Sequence, residues 1–148
     1  MAEQRGFEDL ECYQLARQVY KEAYRMAREL PVEEKYNLTP QIRRAAASLL
    51  LNIAEGYGRY HYLDTLRFYY IARGSLMEVL SGFIACNDAG YTCGDLSTQR
   101  EMCHSALRSL NGYIRYVRSH QQRLQEFGDH AIHDSNSGYS VDLNILEE

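Results

Sequence analysis

The stretch Gln41 to Gly56, QIRRAAASLLLNIAEG, limits what this chain can fold into more than any other. At about 100° per residue, Ile42, Ala46, Leu49 and Ile53 fall on one line, the spacing of a buried helix face. Ala47, Leu50, Leu51 and Ala54 carry the apolar surface most of the way round. What remains is one polar strip of Gln41, Arg44, Ser48, Asn52 and Glu55. A helix this apolar has to be covered from more than one side. The spacing therefore predicts a helical bundle that also uses this helix in a second interface, and it names no reaction.

Three more amphipathic segments complete the bundle. Residues 7–30 repeat Cys12, Ala16, Val19, Ala23, Met26 and Leu30 on one face, with Arg17, Lys21, Arg25 and Arg28 opposite, and end at Pro31. Thr39 as cap and Pro40 as first helical residue open the second helix, and Gly56 and Gly58 mark its end. A third helix, capped by Asp64, runs to about Asp88 and stops at Gly90, with Leu66, Tyr69, Leu76, Leu80, Phe83 and Ile84 inward. Its other side is small: Gly74, Ser75, Ser81, Gly82 and Ala85. Glycine inside a helix costs about 1 kcal/mol against alanine, so two on one side suggest that another backbone comes close. After a loop at Tyr91–Asp95, Ser97 begins a fourth helix whose core positions are Met102, Ala106, Leu110, Tyr113 and Val117, reaching about Phe127. Short joints between four such helices imply an antiparallel up-down bundle over residues 1–127.

Charge is unevenly placed. The net charge is −4, yet six acidic side chains and no Lys or Arg follow Arg123, which leaves the body slightly basic. From Gly128 the composition turns to Gly, His, Asp, Ser and Asn, so residues 128–148 read as an acidic, flexible tail. Its end, Tyr139 to Leu146, alternates apolar and polar or acidic residues and has the makings of a docking peptide. The four cysteines form no C-x-x-C pair, and neither a signal peptide nor a membrane-length apolar run is present, so a cytoplasmic protein with reduced thiols is expected.

FEDLECYQLAR at Phe7–Arg17, QIRRAAASLLLNIAEGYGR at Gln41–Arg59 and RFYYIARGSLME at Arg67–Glu78 resemble the signatures of the 23S rRNA-intervening-sequence proteins, also called four helix bundle proteins. The likeness covers roughly residues 7–120, with the three blocks in order. Leu50 stands where many members carry proline, and the tail after Phe127 lies outside the pattern. The resemblance implies a bacterial four-helix bundle assembled into a homo-oligomeric ring, typically of five. More distantly, the chain is similar to the accessory variability determinant proteins of diversity-generating retroelements. Those are basic pentamers that partner a reverse transcriptase and RNA.

Three constellations are candidates for function. The polar strip on the second helix, with Arg44, Asn52 and Glu55, joins Arg73, Ser75 and Glu78 of the third as a structural network or subunit contact. Arg73 falls among apolar neighbours, where a buried charge needs a partner, either Glu55 or a carboxylate of another chain. Glu101 and His104 form one E-x-x-H, but di-iron bundles use two with further glutamates, and this pair projects away from the core. No metal site and no cofactor are expected. His104, Arg108, Asn111, Arg115 and Arg118 recur every three or four positions opposite the core of the fourth helix, a stripe about 21 Å long. Copied around a ring, with Arg17, Lys21, Arg25 and Arg28 widening it, such a stripe can bind phosphates. The chain reads as a non-catalytic accessory protein that binds RNA or a nucleic-acid enzyme such as a reverse transcriptase. The other reading is a protein-interaction scaffold that uses its tail.

Overall fold

The computed structural model describes residues 6–92 and 94–120. Among them are four α-helices and no strand: α1 (Glu11–Glu29), α2 (Leu38–Tyr57), α3 (Tyr62–Asp88) and α4 (Ser97–Ser119). Short 3₁₀ turns at Gly6–Asp9 and Val32–Glu34 precede α1 and α2. The expected extension of α4 to Phe127, the tail at 128–148 and its docking segment Tyr139–Leu146 lie outside the described residues, as does Cys93.

Each helix packs against its sequence neighbours, and α4 closes the set against α1, with only slight contact between α1 and α3. The predicted line on α2 is the centre of the core: Ile42, Ala46, Leu49 and Ile53 are all essentially inaccessible. Around it lie Cys12, Ala16, Val19 and Ala23 from α1, and Leu66, Tyr69, Leu76 and Phe83 from α3. Ala72, Val79 and Cys86 of α3 are buried too, although the pattern of larger apolar residues did not single them out. α2 runs unbroken through Leu50, where a proline would have removed a helical hydrogen bond.

Close approach between α2 and α3 is what the small residues permit. A Cβ at Gly82 would lie 2.9 Å from Ile42 Cγ1, and one at Gly56 would meet Tyr69 Cε1 at 2.9 Å and the Thr65 carbonyl at 3.1 Å. Gly74 is different. It is exposed, and no described residue lies within 4 Å of where its Cβ would be.

The helix ends differ from the expected caps. α2 starts at Leu38, ahead of Thr39, and the carboxylate of Glu34 accepts the Leu38 backbone N–H at 3.1 Å. Glu34 also accepts from the Asn37 side chain and from Tyr91 Oη at 2.8 Å. The Leu38 amide first, then Tyr91, hold this carboxyl below its ordinary range. One side chain thus caps a helix and ties the α1–α2 joint to the α3–α4 joint. α3 begins at Tyr62, which places Asp64 inside the first turn, where its charge still complements the helix dipole. Ser97 does open α4, with its N–H and Oγ both on Asp95 Oδ1 at 3.1 and 2.7 Å. α3 ends as expected before Gly90, whose φ of 78° suits glycine.

Candidate functional site

The buried line of α4 is Cys103, Ala106, Leu110 and Ile114, whereas Met102, Tyr113 and Val117 are only half-buried. The helix is therefore turned relative to the expected orientation, because its apolar arc is wide and both α1 and α3 press on it. This moves the basic stripe. His104, Arg108 and Arg115 are exposed, while Asn111 and Arg118 are half-buried. The stripe lies on a flank of α4 rather than diametrically opposite the core.

Its members are not equally available. Arg108 Nη2 donates to Glu101 Oε1 at 2.9 Å and to Ser105 Oγ at 3.1 Å. Arg108, then Ser105, hold the Glu101 carboxyl below its ordinary range. Among the described residues Arg115 and Arg118 have no carboxylate partner. Arg100 shares that flank, is exposed, and likewise has no carboxylate partner among them. Sequence reasoning passed over it, though it stands one helical turn before His104 and continues the same spacing.

On α1, Arg17, Lys21, Arg25 and Arg28 are all exposed, on the face turned away from the core. Arg25 is engaged, its Nε and Nη1 each 2.9 Å from Glu22 and Glu29 carboxylate oxygens. Between this face and the stripe runs a groove lined by Leu15 and Gln18 of α1 and by Ser97, Thr98, Glu101, Met102 and Ser105 of α4, with no cation in it. Within one subunit the groove separates the α1 cations from the stripe.

The polar strip of α2 divides. Asn52 Nδ2 donates to Ser48 O at 2.7 Å and to Ser48 Oγ at 3.0 Å. Ser48 Oγ and Ser75 Oγ lie 2.7 Å apart, and Ser75 Oγ donates to the Ile71 carbonyl at 3.0 Å. With Ser75 committed to Ile71, Ser48 must donate to Ser75, so the hydroxyls form one directed chain across the α2–α3 seam. Gln41 donates to Glu78 farther along that seam. Glu55 pairs instead with Arg59, one turn on. Arg44 is exposed, and no hydrogen bond or ion pair joins it to a described residue. Arg73 does not join the strip at all. Two residues turn a helix by about 200°, so Arg73 leaves α3 almost opposite Ser75 and away from Glu55. Beside the satisfied seam stand exposed apolar side chains, Leu51 at 67% and Ile71 at 42%.

Nothing in this arrangement gathers nucleophiles or metal ligands. Burial pushes the Cys12 thiol up to about 11 and the Cys103 thiol to about 12, and raises that of Cys86. Such thiols are core residues rather than nucleophiles. Among the described residues no three His, Cys, Asp or Glu side chains come together as a metal site, and no helix is long and apolar enough to cross a membrane.

The family described as 23S rRNA-intervening sequence protein matches residues 8–112, most of the described chain. The chain belongs to that family. No curated protein matches it. In this 23S rRNA-intervening sequence protein the matched residues hold α1, α2, α3 and the larger part of α4, including Arg100, His104 and Arg108. Arg115, Tyr116 and Arg118 lie past the match.

Proposed function

We propose that this chain is a non-catalytic accessory protein of the bacterial cytoplasm, an antiparallel up-down bundle that assembles with copies of itself and binds RNA. The observation that carries the reading is the flank of α4. Arg100, Arg115 and Arg118 share one side of a helix with His104, and none of the three arginines has a carboxylate partner among the described residues. Three unneutralised guanidiniums along about 27 Å of helix attract a phosphate backbone more than any single surface charge would.

Self-assembly is supported from the α2–α3 face. Leu51 and Ile71 stay exposed beside a seam whose hydroxyls are already satisfied, so covering them leaves few polar groups stranded. α2 and α3 lie across the bundle from the edge where α1 meets α4, so one contact leaves the other surface open. A ring, of five copies as the family resemblance implies, repeats the cation set around its axis. A reverse transcriptase or another RNA-handling enzyme is the protein partner that resemblance suggests.

Labelled RNA titrated at several salt concentrations tests the reading. Binding is expected near 50 mM salt and weakens steeply by about 200 mM, with sequence mattering little. Changing Arg115→Glu together with Arg118→Glu should weaken binding and flatten the salt dependence by roughly one unit for each phosphate that is no longer neutralised. No binding at the lower salt, or binding that ignores the double change, refutes the proposal.

A further inference from the structure

The far end of α4 carries aromatic rings beside its cations. Tyr116 is 54% exposed, and its ring lies 4.0 Å from that of His120. Tyr113 stands nearly parallel to it, at 13° and 5.9 Å, and meets Tyr69 of α3 edge-on at 5.2 Å. Tyr69 is wholly buried. The exposed ring is thus braced by a half-buried one, which is braced by a buried one. His120 Nδ1 is 2.9 Å from the Tyr116 carbonyl and 3.1 Å from Ser119 Oγ, which fixes the second ring as well. A ring held this way has little freedom left to give up when a ligand covers it.

Beside Tyr116 is a shallow groove of about 400 Å³, lined by Arg108, Gly112 and Tyr113 of α4 and by Leu10 and Glu11 at the start of α1. Gly112 leaves the middle of the groove without a side chain. Arg115 bends back over it, since a Cβ on Gly112 would lie 3.8 Å from Arg115 Nη2. Two guanidiniums therefore border the groove on its α4 side, Arg108 held by Glu101 and Arg115 without a carboxylate partner among the described residues. Glu11 is the acidic group on the α1 side, and it keeps a phosphate over α4.

We propose that this groove is a subsite for one nucleotide of single-stranded RNA, its base stacked on Tyr116 and its phosphate on Arg115. The inference rests on the RNA reading above and narrows it. Bases inside an A-form duplex are paired and stacked and cannot reach an aromatic platform, whereas splayed single-stranded bases can. Removing one such stacking platform weakens single-strand binding by about 5- to 100-fold, whatever the base.

The full chain, titrated with a single-stranded oligouridylate and with an RNA hairpin duplex of equal phosphate number, tests this. Tyr116→Leu is expected to weaken the single strand by that factor and leave the duplex unchanged, and Tyr116→Phe to restore binding. The chain has no tryptophan, so Tyr116→Trp supplies a lone tryptophan, excited selectively over the tyrosines, that the oligouridylate should quench. Circular dichroism shows whether each variant keeps its helices. If the single strand binds Tyr116→Leu as well as the unchanged protein and leaves the tryptophan unquenched, the stacking site is wrong while RNA binding stands. An equal loss for both RNAs also refutes stacking. If neither RNA binds the unchanged protein, the broader reading falls and the subsite with it.

Discussion

Gly56→Ala tests the packing on which every surface described above depends. Gly56 is buried near the end of α2, and an added Cβ would sit 2.9 Å from Tyr69 Cε1, 3.1 Å from Phe68 Cβ and 3.1 Å from the Thr65 carbonyl oxygen. Carbon atoms settle about 3.5–4.0 Å apart, so the new methyl is roughly half an ångström too close to its carbon neighbours. None of the three can step aside easily. One belongs to a fully buried ring, one is bonded directly to the α3 backbone, and one is the backbone itself. Overpacking costs about 1–3 kcal/mol, and rigid neighbours place this case near the upper end. Alanine's better helix propensity returns about 1 kcal/mol, which leaves a loss of about 2 kcal/mol. For a chain of this length that lowers Tm by about 4–8 °C. Gly74→Ala is the control. With no described residue near the site, the same exchange keeps the propensity gain and stabilises the subunit by about 1 kcal/mol. Thermal unfolding followed by circular dichroism reads both, at several protein concentrations because the proposed assembly would add a concentration-dependent contribution. A Gly56→Ala variant as stable as the unchanged protein would refute the account of how α2 and α3 meet.

Leu51→Glu puts a charge on the most exposed apolar position of α2 and should split the assembly while leaving the subunit helical; light scattering that finds the assembled mass unaltered disproves the α2–α3 contact. Gln99 of α4 donates to Glu22 of α1 at 2.9 Å, and Arg25, then Gln99, hold the Glu22 carboxyl below its ordinary 4.5. A depressed carboxyl stabilises the fold above its ordinary value and loses that effect as pH falls through the folded one. Glu22→Gln should therefore cost about 0.5–1 kcal/mol at pH 7, the low figure reflecting solvent screening, and nothing once acid has protonated the native carboxyl. Urea titrations at neutral pH and near pH 2 that show equal costs would contradict this. Cys12, pushed up to about 11, holds roughly 100-fold less thiolate at pH 8 than an ordinary thiol near 9. Alkylation mapped by mass spectrometry should find Cys12 and Cys103 protected until the protein unfolds, and prompt labelling of either would show that the core opens.

The two surfaces differ in chemical character. The α2–α3 face has apolar side chains over a seam of satisfied hydroxyls, which suits contact with a like surface. On the α4 flank Arg108 is paired with Glu101, while Arg100, Arg115 and Arg118 have no carboxylate partner among the described residues, which suits a ligand that brings its own negative charge. Neither character depends on the other, so a variant that abolishes assembly should keep weak RNA binding per subunit and lose only what several copies add.

Periodicity alone determined the four helices, the inward line of α2 and the stops at Gly58 and Gly90, because an apolar repeat near 3.6 is written locally in the chain. It also showed that α4 carries a basic side, down to the spacing of His104, Arg108, Arg115 and Arg118. What it could not decide was how far each helix turns within a wide apolar arc. Cys103 reads as a small core residue from the chain itself, but only the pressure of α1 and α3 put Ile114 inside, left Met102 half-buried and swung the stripe to a flank. The same holds for partners. Glu34 outranks Thr39 in capping α2 because Tyr91, far along the chain, holds it there, and Arg73 misses Glu55 because a helix carries side chains two positions apart to nearly opposite sides. Which residues are apolar is a property of the chain, but which of them face a neighbour, and which charges meet, is settled only when the helices come together.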